Sequence, residues 1–142
     1  MYDVVTVFGG AAHLGRKVKS QVAFDEIIRS GIPLAASEHL KKILQLTDKE
    51  FAAMVGVSLS SLLRARKKDG KWSRIASDRL FRLARLFTFA VEVLGDEERA
   101  RKWIHRPQIG LGGKIPLHFI ETDAGAVEVE DLLGRIKHGV VL

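Results

Sequence analysis

Cysteine is absent from the 142-residue chain, which excludes a disulfide framework and any thiolate metal site. An intracellular setting is the default that goes with this. No apolar run approaches the roughly 20 residues needed to span a bilayer, so no membrane association is expected. Met1 to Gly10 is apolar but lacks a basic leader and is too short for a signal peptide. A cytoplasmic protein is therefore expected. Repeats and low-complexity tracts are missing too, as is strand-like alternation longer than a few residues. Apolar content is 46% and charged content 28%, which excludes a disordered chain and allows one domain or two small ones.

The signatures of catalysis are equally sparse. The five histidines (His13, His39, His105, His118, His138) are scattered. None forms a His-x-x-x-His or Glu-x-x-His pair, so no metal is expected. Gly110, Gly112 and Gly113 suggest a phosphate loop, but Lys114 is followed by Ile115 instead of Ser or Thr. Gln108 also stands where such a loop needs glycine. A dinucleotide fingerprint fails as well, because no strand precedes these glycines. With no catalytic dyad and no cofactor motif, the chain is read as a non-enzyme without a cofactor.

Charge is what the chain does have, and it is unevenly placed. The net charge is +6. Residues 34–106 hold 16 basic and 9 acidic side chains, a net of +7. Residues 107–142 hold 3 and 5, a net of −2, and residues 1–33 hold 4 and 3. A central phosphate-binding face and a different partner for the C-terminal part follow from this division.

The apolar spacing predicts an all-α chain. Residues 1–16 are rich in glycine and alanine, show no period and read as loose. A helix is expected over Lys17–Arg29, with Val18, Val22, Ile27 and Ile28 toward one side, ended by Gly31 and Pro33. Ser37 reads as the cap of the next helix, with Leu40, Ile43 and Leu44 as its stripe. Thr47-Asp-Lys-Glu50 is a capping box, and a short helix follows to Val55 with Phe51, Ala52 and Val55 inward. Gly56 breaks it. Ser58 caps a second helix, with Leu59, Leu62 and Leu63 expected inward.

Short helix, glycine turn, cap and second helix make a helix-turn-helix pattern. Nine basic residues between Arg64 and Arg85 stand against only Asp69 and Asp78. Such a surface suits phosphate neutralisation, while the serines and Arg64 of the second helix can reach base edges. The DNA-contact candidates are Ser58, Ser60, Ser61, Arg64, Lys67, Lys68, Lys71 and Arg74.

Lys68-Asp-Gly-Lys71 reads as a turn. Ser77 is expected to start a long helix to about Leu94, with Leu80, Leu83, Ala84, Phe87, Ala90, Val91 and Leu94 as its stripe. Phe81, Phe89 and Val93 add apolar surface on other sides, so the helix is either central in the core or a homodimer contact. Gly95 stops it. Asp96 caps another helix with Glu97 and Glu98 in its first turn and Ala100, Trp103 and Ile104 inward. From Trp103 to Leu117 the prolines and glycines form a rigid corner whose task is to turn the chain. Pro116–Glu121 reads as one or two helical turns, Thr122 and Gly125 as breakers. The last helix is expected from Val127 to His138, with Val129, Leu132, Leu133 and Ile136 as its stripe. These elements divide the chain at 33/34 and 95/96.

Taken together, Phe51-Ala-Ala-Met-Val-Gly-Val-Ser58, Ser77-Asp-Arg-Leu-Phe-Arg-Leu-Ala-Arg-Leu86, Trp103 with the Gly-Leu-Gly-Gly-Lys-Ile-Pro-Leu corner, and Thr122-Asp-Ala-Gly125 leading to Val129, Leu132 and Gly139 carry a resemblance. In this order and spacing they resemble the Xre/MbcA/ParS antitoxin family of bacterial type II toxin–antitoxin systems, over about Leu34 to Leu142. One departure is Gln108, where asparagine is more usual after the proline. The resemblance implies an Xre/Cro-like helix-turn-helix domain followed by a small helical toxin-binding domain. It implies an autorepressor that binds operator DNA and neutralises a cognate toxin with a RES domain, a fold that attacks NAD or transfers its ADP-ribose.

The toxin-facing candidates are Arg135, Lys137, His138, Gly139, Val140, Val141 and Leu142. An enzyme that handles an anionic dinucleotide should have a basic pocket, which an apolar tail ending in a carboxylate can block. A frayed end is the plain alternative. A stand-alone helix-turn-helix regulator, with a ligand-sensing or dimerising C-terminal module, is the competing function.

Overall fold

The computed structural model describes residues 3–139. Over these the chain is all-helical, with two isolated bridge pairings (Pro33 with Lys71, Gln108 with Lys114) and no strand. Two compact units divide between Ala84 and Arg85, inside a helix, whereas the sequence reading draws its lines at 33/34 and 95/96.

The first unit begins with α1 (Val4–Val7) and α2 (Ala11–Leu14), both packed on α4. The stretch read as loose is thus folded: Val7 and Phe8 are fully buried. A clip of histidines holds it. His39 Nδ1 lies 3.0 Å from the Val7 carbonyl oxygen, His13 Nδ1 lies 3.0 Å from that of Gly9, and the two rings sit 5.4 Å apart. Segments this short show no helical period, so only the tertiary contact reveals them.

Helix α3 spans Gln21–Ser30, with Ser20 as its cap. Its inward residues are Phe24 and Ile27, while Val22, expected inside, is 69% exposed. Phe24 packs on Phe81 at 4.9 Å between ring centroids, which accounts for an aromatic that lay off the expected stripe.

Helix α4 runs over Leu34–Leu44 after Pro33, so Ser37 lies inside it and is no cap. The Ser37 hydroxyl is buried, donates to the Leu34 carbonyl at 2.7 Å and accepts the Trp72 indole N–H at 2.8 Å. Ser77 is corrected in the same way. The long helix α7 covers Arg74–Leu94, and Ser73 Oγ accepts the Ala76 N–H at 3.1 Å at its start. Ser77, one turn in and fully buried, accepts the Ile32 N–H at 2.8 Å. Both serines satisfy buried donors that would otherwise be costly to leave unpaired.

The second unit holds the rest of α7, then α8 (Glu97–Ile104), a single 3-10 turn (Ile109–Leu111), α9 (Pro116–Phe119) and α10 (Asp123–Lys137). Asp96 caps α8 by accepting the Arg99 N–H at 2.8 Å. Ala100 and Ile104 are buried as expected, whereas Trp103 is only half-buried.

Gln108 closes the corner. Its side-chain amide donates to the carbonyls of Trp103 and Arg106 at 3.0 and 3.2 Å, and its backbone pairs with Lys114 and Gly113. Gly112 and Gly113 take φ of +66° and +81°, which suits glycine. The corner packs on α10, where a Cβ at Gly110 would press into Leu132. Helix α10 starts four residues before the expected Val127. Thr122 is its cap, and Gly125 lies in its first turn instead of breaking it. The buried stripe is Val129, Leu132 and Leu133.

Candidate functional site

Helices α5 (Asp48–Val55) and α6 (Leu59–Lys68) form the helix-turn-helix. The capping box is made in both directions: Thr47 Oγ1 accepts the Glu50 N–H at 3.1 Å, and Glu50 Oε1 accepts the Thr47 N–H at 2.9 Å. Gly56 follows at φ +83°, and a Cβ there would land on the Arg79 guanidinium. The arginine of the Ser-Asp-Arg motif thereby packs over the turn. Val57 N donates to Ala52 O at 3.0 Å and completes the bend into α6.

Ser58 caps α6 by accepting the Ser61 N–H at 3.1 Å. Its hydroxyl donates to Ser61 Oγ at 2.9 Å and lies 3.1 Å from Ser60 Oγ, and Arg64 Nη2 donates to Ser61 Oγ at 3.2 Å. The structure thus gathers Ser58, Ser60, Ser61 and Arg64 at one end of α6. Only Leu62 of the three expected inward leucines is buried. Leu59 and Leu63 are 46% and 44% exposed, because only one residue of this helix's apolar face is covered.

The nine basic residues do not share one role. Lys67, Lys68, Lys71 and Arg74 are exposed and make no ion pair among the described residues, as a phosphate surface requires. Arg66 belongs elsewhere. Its guanidinium grips two carboxylates: Glu38 at 3.1 and 3.4 Å, and Asp48 at 2.9 and 3.2 Å. Lys41 adds a contact to Asp48 at 3.2 Å. These bonds tie α6 to α4 and α5. The Arg66 and Lys41 bonds hold the Asp48 carboxyl down at about 2, below its usual 3.8. A carboxylate depressed in the fold stabilises it fully above its unfolded value and loses that contribution as pH falls through the folded one. The clamp is therefore intact across the neutral range and weakens only between about pH 4 and pH 2.

Arg66→Met is expected to lower affinity for promoter DNA about tenfold, through a displaced helix. The slope of log affinity against log salt should stay unchanged. A slope shallower by about 0.9 would show that Arg66 meets a phosphate and would sink this assignment.

At the other end of the chain, α10 closes on His138, and Gly139 takes φ +69°. An open groove of about 480 Å³ lies along this end, lined by Phe89, Glu130, Asp131, Gly134, Arg135 and His138. Of the toxin-facing candidates, Arg135 and His138 line it. Lys137 sits 5.8 Å over the Phe89 ring and 3.3 Å from Glu92. Glu130 meets Arg85 at 3.6 Å. Val140, Val141 and Leu142 lie outside the described residues. In the sequence Phe89 is only extra apolar surface, and nothing in its spacing marks it as a groove residue. No cluster of three His, Cys, Asp or Glu residues fit for a metal occurs among the described residues. No helix among them is long and apolar enough to cross a membrane.

Residues 23–85 match the antitoxin Xre-like helix-turn-helix domain, and residues 89–139 match the antitoxin Xre/MbcA/ParS C-terminal toxin-binding domain. The chain is similar to the antitoxin Xre of Yersinia enterocolitica, at 33% identity over 114 residues that cover 80% of this chain and 77% of that one. It is similar to the antitoxin Xre of Photorhabdus laumondii, at 30% identity over 116 residues, 81% of this chain and 78% of that one. Its fold is similar to a chain in the crystal structure of the M. tuberculosis MbcT–MbcA toxin–antitoxin complex, with a TM-score of 0.54 and 20% identity, covering 88% of this chain and all of that one. A helix-turn-helix with an unpaired cationic face, followed by this corner and α10, thus places the chain in the Xre/MbcA/ParS antitoxin family.

Proposed function

We propose that the chain neutralises a cognate RES-domain toxin, one that degrades NAD or transfers its ADP-ribose, and represses its own operon by binding promoter DNA in the cytoplasm. The observation that carries this reading is the union, in one chain, of a toxin-binding domain with a helix-turn-helix whose cations Lys67, Lys68, Lys71 and Arg74 have no carboxylate partners among the described residues. One helix-turn-helix contacts one half-site, so the repressor acts as a homodimer. Ser58, Ser60 and Ser61 meet base edges, while Arg64, Lys67, Lys68, Lys71 and Arg74 meet phosphates. Toxin contact falls to Arg135, Lys137, His138 and Gly139 and to the following Val140, Val141 and Leu142. The antitoxin itself catalyses nothing.

Co-expression with a tagged product of the neighbouring gene tests the toxin half. The expected result is a stable complex that survives purification and suppresses the partner's loss of NAD or ADP-ribose transfer. A neighbour without a RES domain, or one that purifies alone and stays toxic, would overturn the assignment.

A further inference from the structure

Beside α6 lies a cleft of about 270 Å³. One wall is a single face of that helix, where Ser61, Arg64 and Lys68 recur at helical spacing. The turn Gly70–Trp72, with Lys71 in it, and Leu34 complete the lining. No carboxylate is among the lining residues. Arg66, with its two carboxylates, lies off this face. Three like charges converge without compensation, so an anion relieves their repulsion.

The cleft is rigid where it needs to be. Trp72 is buried, its indole N–H donates to Ser37 Oγ, and its backbone N–H donates to the Ile32 carbonyl at 2.9 Å. Leu34 N donates to Gly70 O at 2.9 Å, so the turn is stitched to the start of α4 on both sides. Arg64 is steadied by the Ser58–Ser61 hydroxyl pair. The carbonyl end of α6 is unfavourable to an anion, and Lys68 in the last turn offsets it.

We infer that this cleft seats one phosphodiester of the DNA backbone, with Arg64, Lys68 and Lys71 around the phosphate and the adjoining deoxyribose against Leu34 and Trp72. The inference rests on the DNA-binding reading above and adds which part of DNA the cleft takes. Ser58 and Ser60 lie outside it, at the other end of α6. The cleft therefore fixes register and is indifferent to sequence, which leaves base reading to the serine end.

The test uses the full chain carrying Lys68→Gln and Lys71→Gln together, both exposed positions. Trp72 emission and the melting temperature should match the parent. Affinity is measured over a salt series for two probes, a duplex of the chain's own promoter and a scrambled duplex of equal length. The inference expects both affinities to fall by one common factor of about tenfold or more, with the salt slope shallower by about 0.9. In the promoter duplex, neutral methylphosphonates placed one at a time should reveal a phosphate per half-site whose loss weakens the parent but not the variant. An unchanged slope, or methylphosphonate losses that are the same in both proteins at every position, overturns the inference while leaving DNA binding standing. If the parent binds neither duplex at low salt, the DNA-binding reading fails and the inference with it.

Discussion

Gly125→Ala is expected to destabilise the C-terminal unit by about 3 kcal/mol or more and to abolish capture of the toxin. The reason lies in the first turn of α10. Gly125 is buried, its N–H donates to Thr122 Oγ1 at 3.0 Å, and an added Cβ would fall on the Phe119 carbonyl oxygen at the end of α9. Backbone, unlike a side-chain end, has no rotamer by which to escape. Relief requires α10 to slide, which would unseat Val129, Leu132 and Leu133 from the core. The melting transition of this unit should drop by roughly 15 °C. A shift within about 2 °C would show that the close approach of α9 and α10 is not needed.

The second large effect belongs to the other unit. Gly31→Ala meets two obstacles at once. Gly31 sits at φ +101°, where a side chain is strained, and a Cβ there would fall on the Trp72 carbonyl oxygen. Its N–H also donates to Ile27 O at 2.8 Å, so the residue cannot swing aside without fraying α3. We expect a loss of about 3 kcal/mol in the first unit, read by melting, and a tenfold or greater loss of promoter affinity as the 70–72 turn shifts away from α6. Normal promoter binding by a destabilised Gly31→Ala chain would show that the turn has no part in the DNA surface.

Much of the helical plan was legible because its signals are local. The Thr47–Glu50 box, the Ser58 and Asp96 caps and Pro116 at the start of α9 each act within one helical turn, and each is found where the spacing put it. The misreadings share one cause. A serine before an apolar stripe looks the same whether it caps a helix or lies buried in it. Ser37 and Ser77 proved to be buried, each serving a partner more than thirty residues away. Arg66 was counted with its cationic neighbours because Glu38 and Asp48, 28 and 18 residues distant, come to it only through the fold. Trp72 was passed over for the same reason: in sequence it follows a turn, and only Ser37 and Ile32 make it a wall. The Leu59 and Leu63 error is different. Helical period locates a face but not its width, and on α6 only one residue of that face is covered.

The unpaired cations along α6 and the start of α7 also bear on time, not only on affinity. Their field extends about 8 Å at physiological salt, so it acts on a polyanion before any contact is made. On the proposed DNA-binding function, it would raise the rate of encounter and let the chain slide along a duplex before settling on a site. The groove at the end of α10, where Glu130 and Asp131 stand beside Arg135 and His138, has no such one-signed reach. If the toxin docks there, as proposed, association would proceed at the slower pace set by orientation and fit. On the proposed function, one polypeptide would meet its two partners under different kinetic rules: a search governed by salt for DNA, and a docking governed by shape for the toxin.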